Sequence, residues 1–255
     1  MKCLFSFNQY NASKLLSRWE YPIAENTSSE DVALTVQSHT GQDGFKVTHL
    51  VFTAKRTCKQ VGISVIFEAD AHDLSDYIFA PAALYNGNRF YSVRREYAPM
   101  YTREDLAMCR KGPVITDVPR LYLDGTGRAQ LNTGDLTTPC AGYFSESRKQ
   151  GFLLFWRQKN EAGNFGLTVA ENLENGKLRF YLSAPCVREE TKYAMCTTGA
   201  PSDDRGVSLK KGDTLTFDFE EYSFPCESIT AFLNTFFKVR IRPNLAHKLP
   251  DLSLI

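Results

Sequence analysis

The sequence has no apolar run near the ~20 residues that a membrane-spanning helix needs, so it offers no helical membrane anchor. It has no Cys-x-x-Cys pair, no Gly-x-Ser-x-Gly elbow and no phosphate-cradling glycine loop. Zinc ribbons, serine-hydrolase elbows and nucleotide loops therefore have no motif to rest on. Neither sign of charge dominates: 30 Lys and Arg against 29 Asp and Glu leave a net charge of +1. Nucleic acid and anionic membrane both call for a concentrated positive face, so neither is expected as a partner. The four histidines, His39, His49, His72 and His247, show no metal-ligand spacing, and neither metal nor cofactor is expected. His49 lies within a strand pattern and reads as a half-buried, satisfied residue. Met1 to Asn8 lack the apolar run of a signal peptide. Internal repeats and low-complexity stretches are lacking too.

What is present suits a large β domain. Hydrophobic residues make up 43% and aromatics 13% of 255 residues, enough for one sizeable core. Seven cysteines stand wide apart, at Cys3, Cys58, Cys109, Cys140, Cys186, Cys196 and Cys226. An odd, scattered set fits free buried thiols in a reducing, cytoplasmic setting better than a disulfide framework.

Most apolar runs alternate with period two. Lys14 to Tyr21, Asp31 to His39 and Phe45 to Phe52 read as strands, the last two joined through Gly41-Gln42-Asp43-Gly44. Val61, Ile63, Val65 and Phe67 share one face of the next. Thr102 to Asp105 could cap one helical turn, while Pro113 to Asp117 and Arg120 to Leu123 read as short extended pieces. Asp124-Gly125-Thr126-Gly127 then reads as a hairpin turn into Arg128 to Leu131. Gly151 to Gln158, with Phe152 to Trp156 all apolar, predicts a strand buried on both faces and puts Trp156 in the core. Phe165 to Ala170 and Lys177 to Ala184 flank Asn175-Gly176, the strongest short-range hairpin signal in the chain. Leu215, Phe217 and Phe219 alternate through Thr214 to Tyr222. Only from Ser228 does the period become helical, at Ile229, Phe232, Leu233, Phe236 and Phe237, with Pro243 as the stop. The fold class expected is all-β, a large antiparallel sandwich over residues 1–225. A helix over 228–242 and a linker occupy 226–255. The Phe232/Phe236/Phe237 stripe could lie on the chain's own sheet or on a following domain.

One stretch gathers chemistry. After the strand Tyr77-Ile78-Phe79, Pro81 ends regular pairing and Tyr85-Asn86-Gly87-Asn88-Arg89-Phe90 follows. Gly87 and the asparagines tolerate positive φ and can turn the chain sharply. Amides, a guanidinium and aromatic faces are groups that bind sugars. They are also groups that pin a turn to its own backbone, and the sequence leaves both open. The candidate substrate-binding set is Tyr85, Asn86, Asn88, Arg89, Arg94, Arg95, Asp117 and Arg120. The arginines could hold an anionic sugar by bidentate bonds, or pair with Glu96 and Asp117. Asp73, Asp76, Glu96, Asp117, Asp203 and Asp204 are carboxylates free to serve as acid or base. A glycosidase pair needs a set separation that sequence cannot supply, so no catalytic residue is assigned. Asp203-Asp204-Arg205 reads as a solvated turn.

The segment Ala80-Pro81-Ala82-Ala83-Leu84-Tyr85-Asn86-Gly87-Asn88-Arg89-Phe90, with Thr116-Asp117-Val118-Pro119-Arg120-Leu121, the run of hairpins and the closing helix, resembles a known family. It is similar to the amino-terminal β-supersandwich domains, galactose-mutarotase-like, of bacterial glycoside hydrolases and polysaccharide lyases. The resemblance implies a non-catalytic front domain packed on a following α/α-toroid catalytic domain of the same polypeptide. It also implies loops that line the cleft for an oligo- or polysaccharide, an anionic one included. The Asn-His motif of the catalytic mutarotases does not occur here, which places a self-contained epimerase or small glycosidase second. A free-standing sugar-binding module is the third reading.

Overall fold

The structure, a computed structural model, describes residues 1–24, 27–89, 121, 125–188, 190–192 and 199–241. The first seven strands are β1 (Lys2–Asn11), β2 (Lys14–Pro22), β3 (Val32–Thr40), β4 (Lys46–Ala54), β5 (Cys58–Ala69), β6 (Tyr77–Ala80) and β7 (Leu84–Tyr85). Next come β8 (Thr126–Asn132), β9 (Cys140–Ser145), β10 (Gln150–Trp156), β11 (Lys159–Asn160), β12 (Gly163–Asn164), β13 (Gly166–Asn172) and β14 (Lys177–Ala184). The last are β15 (Glu190–Lys192), β16 (Gly199–Pro201), β17 (Val207–Leu209) and β18 (Thr214–Pro225), followed by the helix α1 (Ile229–Val239).

Two seven-stranded antiparallel sheets carry the fold. Sheet A runs β2-β1-β5-β14-β13-β8, with β17 also on β5; sheet B runs β3-β4-β18-β10-β9-β6-β7. Alternation decides which side chains lie between them. Phe5 and Phe7 of β1, Val65 and Phe67 of β5, and Phe52 and Phe217 of sheet B enter one shared core. Across the gap the Phe5 ring lies 5.1 Å from Phe52, and Phe67 meets Phe219 edge-on at 5.1 Å. The chain is an all-β antiparallel sandwich with one C-terminal helix.

Several expectations change in detail. The sequence reading opens its strands at Lys14, whereas the structure begins one strand earlier, with β1 between β2 and β5. Its Phe5/Phe7 against Ser6/Asn8 alternation is real but blurred by Leu4 and Cys3. Val61, Ile63, Val65 and Phe67 face the core as expected, yet Ser64, Ile66 and Glu68 on the opposite face are buried as well. Side chains from β2 and β14 explain this by closing over β1 and β5. Arg18 lies over the Tyr181 ring at 4.7 Å, and Arg179 Nη1 reaches Glu20 Oε1 at 3.0 Å. The β13–β14 hairpin forms where Asn175-Gly176 places it, through a short 3-10 turn at Leu173–Asn175 and a left-handed Gly176. The longer turn replaces the two-residue type the dipeptide suggests.

β10 is buried on both faces, as its unbroken apolar run predicts. Phe152, Leu154 and Trp156 belong to the inter-sheet core, and the Trp156 indole N–H donates to Thr133 Oγ1 at 3.1 Å. Leu153 and Phe155 face the other way, under α1. That helix starts on Ser228, whose hydroxyl accepts from the Ala231 N–H at 3.2 Å, and it ends at Val239, short of the expected Arg242. Phe232 and Phe236 sink onto sheet B among Phe79, Phe144, Leu153 and Phe224. Gly142 makes the close approach possible, since a Cβ there would stand 2.5 Å from the Phe152 carbonyl and 3.1 Å from the Phe232 ring. The stripe therefore splits. Phe232 and Phe236 serve this chain's own sheet and are not available to another domain, while Phe237 remains 52% exposed. Pro243, the turn at Thr102 to Asp105, the pieces at 113–117 and 122–123 and the Asp124 end of the hairpin turn lie outside the described residues.

The five described cysteines, Cys3, Cys58, Cys140, Cys186 and Cys226, are all free; Cys109 and Cys196 lie outside the described residues. Burial pushes the Cys3 and Cys186 thiols up to about 12, and Cys140 well above the ordinary range. Such thiols are poor nucleophiles while the fold is intact. A thiol reagent at neutral pH should leave these three unreacted in the native protein and label all of them in denaturant. Rapid native labelling of Cys140 would mean that β9 opens readily.

Candidate functional site

The candidate site is the turn that follows β6. Ala82, Asn86, Gly87 and Asn88 all take positive φ, at 70°, 48°, 68° and 50°. Only glycine adopts that region without cost, and asparagine tolerates it through local hydrogen bonds. Asn88 shows how. Its Oδ1 accepts the Tyr85 N–H at 3.0 Å, and its Nδ2 donates to the Ala83 carbonyl at 2.8 Å. Gly87 is buried against Leu121, whose N–H donates to the Gly87 carbonyl at 2.8 Å. The turn is thus built from its own amides, and Asn88 holds it together from inside.

Arg89 also turns inward. Its guanidinium, 6% exposed, binds Glu171 with both terminal nitrogens, Nη1 to Oε1 and Nη2 to Oε2, the latter at 2.6 Å. Glu171 follows Leu167 and Val169 on β13, so its carboxylate points into the sandwich at an inward-facing strand position. Its Oε2 also accepts from His72 Nε2 at 3.0 Å. His72 lies on the crossover from β5 of sheet A to β6 of sheet B, and its Nδ1 meets Asp76 Oδ2 at 2.9 Å. The side chains of His72, Asp76 and Glu171 are fully buried. Carboxylates only accept, so a histidine facing one at each nitrogen must donate from both and carry a charge. Asp76 and Glu171 against His72 and Arg89 then make a charge-balanced cluster between the sheets.

Burial alone would drive the His72 imidazolium to lose its proton. Its hydrogen bonds to Asp76 and Glu171 outweigh that, so its affinity for the proton is raised. Burial likewise pushes the Glu171 carboxyl up, but bonds from His72 and Arg89 carry it below the usual range. Arg148 borders the cluster, with Nη2 3.9 Å from Asp76 Oδ2 and 3.2 Å from the Tyr143 hydroxyl.

On the solvent side stand Tyr85 and Asn86, both exposed. The Tyr85 ring, half exposed, meets Phe79 edge-on at 5.7 Å, and its hydroxyl accepts the Ala82 N–H at 3.0 Å. Of the eight residues expected at the site, the structure thus puts Tyr85 and Asn86 outside and Asn88 and Arg89 underneath. Arg94, Arg95, Asp117 and Arg120 lie outside the described residues, as does Glu96. His72 and Glu171 escape the sequence reading. The signal for Glu171 was a carboxylate on the Leu167/Val169 face of a strand, and for His72 the four-residue spacing to Asp76.

No protein-family model matches the chain, and no curated protein sequence matches it. Among solved structures it is similar to the Slr1438 protein of Synechocystis sp. PCC 6803, at 10% identity and a TM-score of 0.35, over 80% of this chain and 66% of that one.

Several other polar groups have structural partners. His49 is paired with Asp218 at 2.5 Å, in line with its reading as a satisfied residue. Asp204, expected in a solvated turn, instead accepts from the Arg188 backbone N–H at 2.8 Å and from the Arg188 guanidinium at 2.8 and 3.2 Å, while Asp203 and Arg205 beside it are exposed. Asp73 accepts from the Ser75 N–H and hydroxyl. On the outer face of sheet A, Glu68 binds Lys177 and Arg179, while Asn8 joins Ser6, Ser64 and Arg18.

Proposed function

We propose that this chain is the front β-sandwich domain of a bacterial carbohydrate-active enzyme, and that its central turn lends Tyr85 and Asn86 to a glycan. One observation carries the reading: a half-exposed aromatic ring and an exposed amide stand side by side on a turn clamped from beneath. An aromatic ring anchored through its hydroxyl to the Ala82 N–H and an exposed amide beside it suit the ring face and hydroxyls of a sugar. The resemblance of the Ala80–Phe90 segment to the supersandwich domains of glycoside hydrolases and polysaccharide lyases points the same way. A following helical domain would meet the outward side of α1, where Ile229 and Phe237 are exposed, with exposed Ile241 just past its end. Cleavage chemistry would belong to that domain.

The test is binding of the purified chain to a panel of oligosaccharides, followed by titration of the strongest ligand. Tyr85→Ala is expected to weaken binding about tenfold, near the 1.4 kcal/mol that one stacked ring and its buried area supply. Tyr85→Phe keeps the ring and should keep most of the affinity. Equal affinity in wild type and Tyr85→Ala, or no saturable glycan binding, rejects the reading.

A further inference from the structure

The buried cluster under the turn links the two sheets through a single titratable cation. We propose that protonated His72 is a latch holding the crossover 70–76 against β13, and that loss of its proton opens this crossover at alkaline pH.

The geometry leaves little room for a neutral ring. Neutral imidazole carries one N–H, so one of its nitrogens would present a lone pair to a carboxylate about 3 Å away. The two carboxylates are unequally secured. Glu171 keeps the bidentate Arg89 whatever His72 does. Asp76 Oδ2 has His72 at 2.9 Å, the Asp73 N–H at 3.4 Å and Arg148 at 3.9 Å, and Asp76 Oδ1 has no hydrogen-bond partner among the described residues. With the proton gone, the buried group carries an unbalanced negative charge, which is costly away from water.

Relief is built in next door. His72 and Asp76 share one short crossover, so it can swing as a unit and take Asp76 towards Arg148, whose side chain is 35% exposed. Breaking the Nε2–Glu171 bond detaches that crossover from β13. Its other ties are the His72 N–H to the Gly176 carbonyl at 2.9 Å, in the turn after β13, and Arg148 Nη1 to the Asp70 carbonyl at 2.6 Å. The charged and titratable groups facing the ring or its partners are Asp76 and Asp73 on the crossover, Glu171 on β13, Arg89 after β7, and Arg148 and Tyr143 from the β9–β10 hairpin. Burial raises the Tyr143 phenol, so it stays neutral through the range in question.

The sign follows from the cluster. A cation whose folded affinity for its proton is raised contributes stability that is complete below the ordinary histidine range near 6.5. That contribution is lost as pH rises through the folded value. Opening of the crossover should therefore be flat below about pH 6.5, grow about tenfold per pH unit from there up to the His72 midpoint, one proton being released, and level off above it.

The experiment is amide hydrogen exchange of the purified chain from about pH 6 to 9, corrected for intrinsic rates and read on peptides covering 70–76. His72 ring shifts by NMR, assigned by comparison with His72→Gln, give the midpoint. The latch predicts a His72 midpoint above that of free histidine, loss of 70–76 protection between about pH 6.5 and that midpoint with a plateau beyond it, and a flat profile in His72→Gln. If His72→Gln folds poorly, Glu171→Gln serves, since removing one carboxylate should lower the midpoint and so narrow the pH window over which protection is lost. Protection that stays constant from about pH 6.5 up to the His72 midpoint overturns the latch. So does a protection loss that persists unchanged in His72→Gln.

Discussion

Glu171→Ala is expected to lower the folding free energy by about 3–5 kcal/mol, the usual result of breaking a buried ion pair from one side. The change leaves His72 and Arg89 as two buried cations against Asp76 alone. That loss is a large part of the 5–15 kcal/mol by which a domain is ordinarily stable. Chemical denaturation should show the midpoint falling with the slope unchanged. Glu171→Gln separates charge from shape, because the amide fills the same space and can still accept from one neighbour. It should remain destabilising, and it should also remove part of the acid limb. A carboxyl held below its ordinary range contributes stability above the unfolded value near 4.3 and loses it as pH falls through the folded one. A Glu171→Ala midpoint close to wild type would mean that the cluster is not formed as described. Arg89 would then be free to face a ligand.

The second large effect concerns α1. Phe232→Ala should cost about 3–5 kcal/mol, as large aromatic truncations in a core do. Phe232 is 0% exposed, and its ring meets Phe79 edge-on at 5.7 Å and stacks on Phe224 at 6.1 Å. The cavity would open directly over Gly142, where sheet B has no side chain to collapse into it. Phe237→Ala, one turn further on and half exposed, should stay within about 0.5 kcal/mol. Thermal melts of the two variants side by side read the contrast. Equal losses would show that the helix is held by both faces, and the outward side of α1 would no longer be open to a second domain.

These variants also mark how far the sequence could be read. Period-two runs placed β4, β5, β13, β14 and β18, because alternation is a local property that a sandwich imposes on every strand it half buries, and an unbroken apolar run placed β10. The change of period at Ser228 placed the helix for the same reason. The turn at Gly87 was legible as a turn, since glycine between asparagines has few other uses. β1 and β9 were harder. Cys140 to Ser145 is buried throughout, so it has no alternation to show.

What the sequence determined by itself was the all-β class, the free thiols among the described cysteines and the position of the chemistry-bearing turn. All follow from neighbours within a few residues. Tertiary structure alone decided which way that turn faces. Asn88 and Arg89 share the composition of a sugar site with Tyr85 and Asn86, yet Asn88 is spent on Tyr85 and Ala83 within the turn, and Arg89 points inward because Glu171, 82 residues away, supplies a buried carboxylate. Likewise the apolar stripe of the helix could not say whether its own sheet or another domain would cover it. A missing Cβ at Gly142 decided that, by letting Phe232 settle on sheet B. Charge partners and close approaches are properties of pairs distant in sequence, and no local pattern carries them.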